Sequence, residues 1–335
     1  MANYKTLKVA GIEIPNRYFL APLAGYTDLA FRKICAEHGA GLVYTEMVSA
    51  NALFYNSKDT LAMVRETQND EGLVALQLFG GEIDHILKAI EILEANGKYD
   101  FLDVNLGCSV PKVLKQHAGC YLIDKPEILE PMLEAIVKKS SKPVIVKTRI
   151  GTDDNHINIF DNLQIFEKVG VQMVALHGRT RKALFSGKNN FDIIKEVKAK
   201  ANIPVVANGD INLDNFQEVL DYTKADAIML GRNAIGNPNI FTQMCDKELG
   251  NEVLSPTFHE QVLDFKKQNE YYISSRGEER FINIIKGYGP HFFRGFSISK
   301  AIRSTLVTLK NMDEYYKFID DLLQLDNQDE RRKVN

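Results

Sequence analysis

The sequence lacks several features that would assign it to a specialised class of protein. It contains only four cysteines in 335 residues, and no two of them form a C-x-x-C pair. Cys35 and His38 form a lone C-x-x-H without partners at zinc-ligand spacing, so we predict no metal site. No apolar stretch approaches the roughly 20 residues of a membrane span, and the N-terminus lacks the apolar core of a signal peptide. These absences favour a cytoplasmic protein with reduced thiols and no membrane partner.

A strong charge of either sign is also missing. The chain carries 41 Lys and Arg against 44 Asp and Glu, a formal net charge of -3. The molecule as a whole is therefore not a polycation, and any contact with nucleic acid must come from a local basic patch. Hydrophobic residues make up 45% of the chain, as in an ordinary globular protein, and the length favours one large domain with a smaller one.

Eight short apolar segments alternate with helical patterns between Tyr18 and Arg232. Their near-continuous hydrophobicity is typical of strands that are buried on both faces, as in a parallel sheet. The predicted strands begin at Tyr18, Leu42, Leu73, Phe101, Pro143, Gln172, Ile203 and Asp226. Eight such repeats favour a (β/α)8 TIM barrel over an open doubly wound sheet, and no G-x-G-x-x-G motif follows the first strand.

The segments on either side of this region have other patterns. The run LKVAGIEIPN alternates and turns at Gly11, which predicts a small hairpin at the bottom of the barrel. After Pro238 the strand signals stop, and the remaining chain has only amphipathic helical patterns. We therefore predict an α/β fold, with a TIM barrel over residues 1–241 and a smaller all-helical domain over residues 242–335.

Polar residues interrupt the apolar segments where the predicted strands end. One such residue alone is more often a satisfied structural group, but strand ends of a TIM barrel meet at one mouth, where the chemistry of these folds takes place. The residues concerned are Gln77, Asn105, Lys147, Arg149, His177, Asn208, Asp210 and Arg232.

The last two strand ends also carry glycines, Gly209 and Gly231. TIM barrels commonly bind phosphate at this position through backbone N–H groups, to which Arg232 would add a charged contact. The alternative is that both glycines only close tight turns. Lys147 would suit a flavin, because a cation near the pyrimidine edge stabilises the reduced anion. The alternative interpretation is a structural lysine that forms a salt bridge in the core.

Six motifs, in order along the chain, resemble those of the tRNA dihydrouridine synthase family, nearest to the bacterial B-type members. They are APLAGYTDLAFR (21–32), VNLGCSVPKVLKQHAGCYLI (104–123), VKTRIG (146–151), HGRTR (177–181), ANGDI (207–211) and MLGRNAIGNPNIF (229–241). The family reduces uridine in tRNA to 5,6-dihydrouridine with FMN as hydride carrier and NADPH as reductant.

The resemblance implies roles for particular residues. Cys108 of the N-x-G-C motif would be the general acid, and Asn105 and Arg149 would hold the uracil ring. The residues that would hold FMN are Ala21, Pro22, Gln77, Lys147, His177, Asn208, Gly209, Asp210, Gly231 and Arg232. This sequence departs from the family pattern at Ser109, where proline is usual, and at Cys120, where serine is frequent.

Two basic segments predict contacts with RNA. Residues 280–310 contain no Asp or Glu, and 177–188 are likewise basic and include Arg179. We expect the cations of the first segment to follow RNA phosphates and its aromatic residues to pack in a helical core. The cations are Arg280, Lys286, Arg294, Lys300, Arg303 and Lys310, and the aromatics are Phe281, Tyr288, Phe292, Phe293 and Phe296.

Two other functions remain open from the sequence. A flavin-dependent reductase of small molecules, similar to dihydroorotate dehydrogenases, would share the barrel and the FMN site. The basic helical segment argues against it, because a small substrate needs no such surface. A flavin-containing RNA-binding protein without turnover is the second alternative, and the intact set of Cys108, Lys147 and His177 argues against it.

Overall fold

The computed structural model describes residues 5–67 and 71–333. Residues 1–4 and 334–335, the outer ends of the two predicted domains, lie outside the described residues. The chain begins with an antiparallel hairpin of β1 (Leu7–Val9) and β2 (Ile12–Ile14), as predicted. Ala10 and Gly11 both have positive φ, of 49° and 87°, which forms the tight turn between the two strands.

A closed barrel of eight parallel strands follows, and each of the eight predicted segments contains one of them. The strands are β3 (Tyr18–Leu20), β4 (Leu42–Tyr44), β6 (Val74–Phe79), β7 (Phe101–Leu106), β8 (Val144–Arg149), β9 (Val174–His177), β10 (Val205–Asn208) and β11 (Ala227–Leu230). The short strand β5 (Val48–Ser49), which we did not predict, pairs with the end of β6. Strand β3 pairs with β4 on one side and with β11 on the other, which closes the barrel. The predicted TIM barrel is confirmed.

The connections between the strands contain the helices. They are α1 (Leu29–Glu37), α2 (Ala50–Phe54), α3 (Lys58–Arg65), α4 (Ile83–Asn96), α5 (Pro111–Leu114), α6 (Pro126–Lys139), α7 (Ile159–Val169), α8 (Phe191–Lys200), α9 (Phe216–Thr223) and α10 (Ile240–Leu249). Helix α4 illustrates why they form: Ile86, Ile90 and Leu93 recur at helical spacing and are fully buried. The helix ends at Asn96, directly before Gly97, a residue type that commonly follows the end of a helix.

Side chains inside the barrel change from apolar to polar along the strands. Its lower interior is a buried apolar cluster that includes Ile145 and Val206, and the hairpin closes it with Val9 and Ile14. Alternate residues of a strand face the same side, so Lys147 points into the barrel as Ile145 does, one step nearer the carboxyl end of the strand. Polar residues on neighbouring strands lie above apolar ones in the same way. The polar layer therefore lies at the carboxyl ends of the strands.

Four further helices pack beside the barrel. They are α11 (Phe258–Arg276), α12 (Phe281–Phe292), α13 (Ser299–Leu306) and α14 (Met312–Leu323). They have their own apolar cluster, which α1 joins through Ala30. Helix α10 crosses the predicted boundary at 241/242, and its Phe241 and Met244 belong to the core of the barrel. The division into domains stays a prediction, and the packing favours a division after α10. Within the described residues, no helix combines the length and apolarity that crossing a membrane requires.

Candidate active site

A cavity of about 820 Å³ opens at the carboxyl ends of the barrel strands, a volume typical of ligand sites. All ten residues predicted to hold the cofactor line it, as do Asn105, Cys108, Arg149, Arg179 and Arg294. Lys286, Lys300 and Arg303 are not among its lining residues. The sequence therefore predicted which residues converge, although convergence alone does not establish their roles.

Lys147 lies on β8, and its position is set by a chain of hydrogen bonds. Its Nζ donates to Asn208 Oδ1 at 2.9 Å, and Asn208 Nδ2 donates to the carbonyl of Met229 at 2.9 Å. Burial and the neighbouring Arg149 lower the pKa of Lys147 to about 8. Near neutral pH the ammonium group is still mostly charged, and it is held against the cavity by a neutral partner.

His177, at the end of β9, is a neutral imidazole. Burial, together with Lys147 and Arg149, lowers the pKa of His177 to about 2. One ring nitrogen therefore carries a hydrogen and the other has a free lone pair at neutral pH. Nε2 lies 3.4 Å from Arg179 Nη1, a cationic donor, so we assign the lone pair to Nε2 and the hydrogen to Nδ1.

The turn after β10 requires glycine at position 209. Gly209 has a φ of +110°, and a Cβ there would lie 2.3 Å from Asn189 Oδ1 and 2.7 Å from the ring of His177. The next residue, Asp210, binds Arg179 through two hydrogen bonds of 3.0 and 2.5 Å. Asp210 also lies 3.7 Å from Arg232. Its carboxylate therefore orients two guanidinium groups.

Gln77 and Asn105 form a second hydrogen-bonded chain, on β6 and β7. Asn105 Nδ2 donates to Gln77 Oε1 at 2.7 Å, and Gln77 Nε2 donates to Asp103 Oδ2 at 2.5 Å. Asn105 Oδ1 accepts from the backbone N–H groups of Gly107 and Cys108, at 3.1 and 2.9 Å. This Asx turn positions the loop that carries the thiol.

Cys108 is half-buried on the rim of the cavity, where it packs against an apolar group that contains Phe79 and Val113. Burial raises the pKa of the Cys108 thiol above its usual value. Cys120 is adjacent, since its N–H donates to the carbonyl of Cys108 at 2.9 Å, but its side chain has no exposure to solvent. Burial raises the pKa of Cys120 to about 12. Only Cys108 combines a protonated thiol with access to the cavity.

Arg149 and Arg179 hold the loop that follows β9. Arg149 donates to the carbonyls of Gly107, Thr180 and Leu184 at 3.0, 3.0 and 2.8 Å. Arg179 donates to the carbonyls of Ser186 and Gly187 at 3.1 and 2.6 Å, in addition to its pairing with Asp210. Both guanidinium groups are therefore anchors of this loop in the present conformation.

The sequence analysis missed several residues that line the cavity. Phe185 is 63% exposed, and its ring lies 5.7 Å from the guanidinium carbon of Arg149 and 5.3 Å from that of Arg232. His291, from α12, stands edge-on to Tyr26 with ring centroids 6.4 Å apart. An aromatic residue inside a basic run was the available signal for Phe185. His291 gave no signal, because nothing in the sequence places α12 beside the barrel mouth.

The aromatic residues of the basic segment 280–310 pack as predicted, and the contact of its cations with RNA stays a prediction. Its five aromatic residues are buried in the helical core. None of its six cations forms a salt bridge with any residue that the structure describes, and four of them are exposed: Arg280, Arg294, Lys300 and Lys310. Arg294 lies at the cavity itself. The segment therefore offers exposed cations without a salt-bridge partner among the described residues, and Arg294 brings one of them to the mouth.

The cavity fits a phosphate-bearing cofactor. Its lining contains five cationic side chains and a single carboxylate, that of Asp210, which is already paired. Backbone groups at Gly209 and Gly231 lie beside Arg232, in the arrangement that binds phosphate at this end of TIM barrels. No group of three or more His, Cys, Asp or Glu side chains arranged to hold a metal ion occurs among the described residues.

Comparison with known sequences identifies the family. A sequence model described as dihydrouridine synthase (Dus) matches residues 19–325. The chain is 32% identical to tRNA-dihydrouridine synthase B of Pasteurella multocida over 334 residues, which cover 98% of this chain and 99% of the relative. It is 39% identical to tRNA-dihydrouridine synthase B of Vibrio cholerae over 240 residues, covering 71% and 74% of the two chains. The chain belongs to the dihydrouridine synthase family.

Solved structures with a similar fold are more distant. An old yellow enzyme homologue from Zymomonas mobilis superposes with a TM-score of 0.56 at 14% identity, covering 74% of this chain and 93% of its own. A morphinone reductase mutant superposes with the same TM-score and identity, covering 76% and 92%. At this identity the likeness concerns the barrel fold alone.

Proposed function

We propose that this protein reduces the C5–C6 bond of a uridine in tRNA to 5,6-dihydrouridine, with FMN as cofactor and NADPH as reductant. The proposal rests on one observation: Cys108 lines the same cavity as Lys147, His177 and Arg232. Membership of the dihydrouridine synthase family and the names of the relatives support the same activity. A cytoplasmic location stays a prediction.

The residues that would hold FMN act by charge and by hydrogen bonding. Lys147 would stabilise the negative charge that a flavin gains on reduction, and Arg232 with the two glycine turns would hold the phosphate. Neutral His177 would offer a hydrogen bond without adding a further positive charge to the site. Bound FMN would supply a hydride to C6 of the uracil.

The second requirement is a proton for C5, on the other face of the ring. Cys108 provides it, because a thiol with a raised pKa stays protonated at neutral pH and this one is accessible from the cavity. Its apolar surroundings at Phe79 and Val113 disfavour the thiolate before the proton is transferred. Cys120 is buried and takes no part.

The uracil carbonyls are held by Arg149 and Asn105. Among the described residues, the second N–H of Asn105 Nδ2 contacts only Met47 Sδ, at 3.7 Å, and a carbonyl oxygen is a better acceptor than this sulfur. Arg149 lines the same cavity, and its guanidinium group would stabilise the negative charge that develops on the ring. Arg179 stays paired with Asp210, so we assign it to holding the loop rather than the substrate.

The uridine must leave its stack to enter the cavity, which costs a few kcal/mol. The cations of the segment 280–310, which form no salt bridge with any described residue, would supply the compensating binding energy through RNA phosphates. Arg294 links this surface to the cavity, because it lines the mouth.

The test is direct. The purified protein should be yellow and should release one FMN per chain on denaturation. With NADPH it should form dihydrouridine in unmodified tRNA, measured by mass spectrometry of the nucleosides. A protein that takes up FMN but leaves tRNA unchanged would refute the proposed activity.

A further inference from the structure

Asp103 is a buried carboxyl group below the floor of the cavity, and the reaction proposed above gives it no task. It lies on β7 two residues before Asn105, its side chain has no solvent exposure, and it is not among the residues that line the cavity. Its Oδ2 accepts from Gln77, whereas its Oδ1 has no hydrogen-bond partner among the described residues. Burying a carboxyl group is costly, so its presence here requires an explanation.

The backbone determines the direction of the hydrogen bonds in this chain. Asn105 Oδ1 accepts from two backbone N–H groups, and these can only donate. Asn105 Nδ2 must therefore face Gln77, whose Oε1 accepts from it. The nitrogen of Gln77 is then left facing Asp103, which has to be the acceptor.

We propose that Asp103 is a positioning residue that makes both Gln77 and Asn105 hydrogen-bond donors toward the cavity. Both amide oxygens are occupied within the chain, and each amide has one N–H to offer. That of Gln77 has no partner among the described residues, and that of Asn105 has only Met47 Sδ. Two donors match the carbonyl oxygens of a flavin and of a uracil ring, so the inference rests on the proposed function.

The protonation state of Asp103 does not change which atoms donate and which accept in the hydrogen bonds from Asn105 to Gln77 and from Gln77 to Asp103. Burial raises the pKa of Asp103 to about 8, so the carboxyl group is largely neutral near pH 7. Oδ2 can accept a hydrogen bond in either state. The neutral form lowers the cost of burial and leaves the direction of the chain unchanged.

The experiment compares Asp103→Leu with Asp103→Asn, and uses Tyr99→Phe as a control. Tyr99 is buried just before the start of β7 and does not line the cavity. Its hydroxyl oxygen has no hydrogen-bond partner among the described residues, so loss of this hydroxyl should change neither measurement. FMN affinity is measured by fluorescence quenching, and the position of the thiol by the rate at which iodoacetamide alkylates Cys108 in flavin-free protein. We expect Asp103→Leu to weaken FMN binding roughly tenfold and to raise the alkylation rate several-fold, because it leaves a buried amide unpaired. Asp103→Asn retains an acceptor oxygen and should stay within about twofold of the wild type in both.

Two results would overturn the inference: Asp103→Leu behaving as the wild type, or Asp103→Asn behaving as Asp103→Leu. Should Asp103→Leu fail to fold, neutron diffraction from wild-type crystals decides. Deuterium on the Gln77 atom that faces Asp103 supports the inference, and an oxygen there overturns it. A protein with this amide order that reduces no tRNA would refute the proposed function alone.

Discussion

Cys108 and Cys120 differ in their access to the cavity, and the roles proposed for the two thiols rest on this difference. Cys108 is half-buried at the rim of the cavity. Cys120 is fully buried, and its N–H donates to the carbonyl of Cys108. We expect Cys108→Ala to keep FMN and tRNA binding and to lose turnover by about 10²–10⁴-fold, the usual contribution of a general acid. The check is single-turnover oxidation of the reduced flavin by tRNA.

Cys120→Ser is the matched control for this prediction. Serine is similar in size to cysteine, so the variant should retain most of its activity. If Cys120→Ser were inactive and Cys108→Ala active, the assignment of the acid would be wrong.

Lys147 should make cofactor binding depend on pH. Burial and Arg149 lower the pKa of Lys147 to about 8, and an electron-rich flavin edge bound beside it would raise that pKa again. Above about pH 8 binding must therefore take up a proton, so affinity falls as pH rises, by up to about tenfold per pH unit. Below about pH 8 the ammonium is already charged and the affinity should be constant.

Fluorescence titrations of FMN between about pH 7 and about pH 9.5 check this dependence. The Lys147→Met variant should bind FMN more weakly than the wild type. Its affinity should not show the fall with rising pH that the wild type shows above the pKa of Lys147. A wild-type affinity that does not change across the range would contradict the prediction.

The residues of the site differ in how well sequence alone could identify them. Lys147, His177 and Asn208 were predictable because each interrupts an apolar strand, and the ends of parallel strands must meet. Phe185 and His291 were missed. Phe185 lies in a loop after β9, where an aromatic residue inside a basic run was the available signal. His291 gave no signal, because the position of α12 beside the barrel mouth depends on tertiary packing.

The helices and strands also differ in how well the sequence predicts them. Buried parallel strands have continuous apolar runs, so all eight barrel strands were predictable. Strand β5 was missed because Val48–Ser49 is too short for a periodic signal. The place where the barrel ends was obscured by α10, which is helical like the segment after it but packs through Phe241 into the barrel core.

The loop after β9 should contribute to substrate binding through Phe185. The side chain is 63% exposed above two guanidinium groups, a position suited to stacking with a base. We expect Phe185→Ala to raise the KM for tRNA roughly tenfold, since stacking on an aromatic side chain contributes about 1–3 kcal/mol per base. Flavin reduction by NADPH and the melting temperature should hardly change.

Leu184→Ala is the matched control for this loop. Leu184 is 49% exposed, and its bond to Arg149 uses its backbone carbonyl, which the substitution retains. Equal effects of the two variants would indicate a general disturbance of the loop and would contradict stacking.

Across the whole molecule, several contacts fix the C-terminal helices against the barrel. Arg276, at the end of α11, binds Glu66 through two hydrogen bonds of 2.7 Å. Arg332 donates to the carbonyl of Gly236 at 2.9 Å and to Asn237 Oδ1 at 3.1 Å, and it also lies 3.4 Å from Gln261 on α11. The cationic surface therefore has a defined position relative to the cavity, as a large folded substrate requires.

This surface separates the proposed function from a small-molecule reductase. Replacing Arg294, Lys300 and Arg303 by Gln should weaken tRNA binding and flatten its salt dependence. Each lost phosphate contact should reduce the slope of log K against log salt by roughly 0.7 to 0.9. Flavin reduction by NADPH should be unaffected, because Lys300 and Arg303 do not line the cavity and Arg294 lies only at its mouth.

A second triple variant controls for net charge. Replacing Lys88, Lys138 and Lys168 by Gln removes the same charge from α4, α6 and α7, where each lysine is paired with a glutamate. It should bind tRNA with nearly the wild-type affinity and salt slope. A dihydroorotate-type enzyme would reduce a free pyrimidine at a normal rate and would have no tRNA affinity for either variant to lose. If the variant of Arg294, Lys300 and Arg303 kept the wild-type affinity for tRNA and the wild-type salt slope, RNA binding by this surface would be refuted. This conclusion would not depend on the chemistry in the barrel.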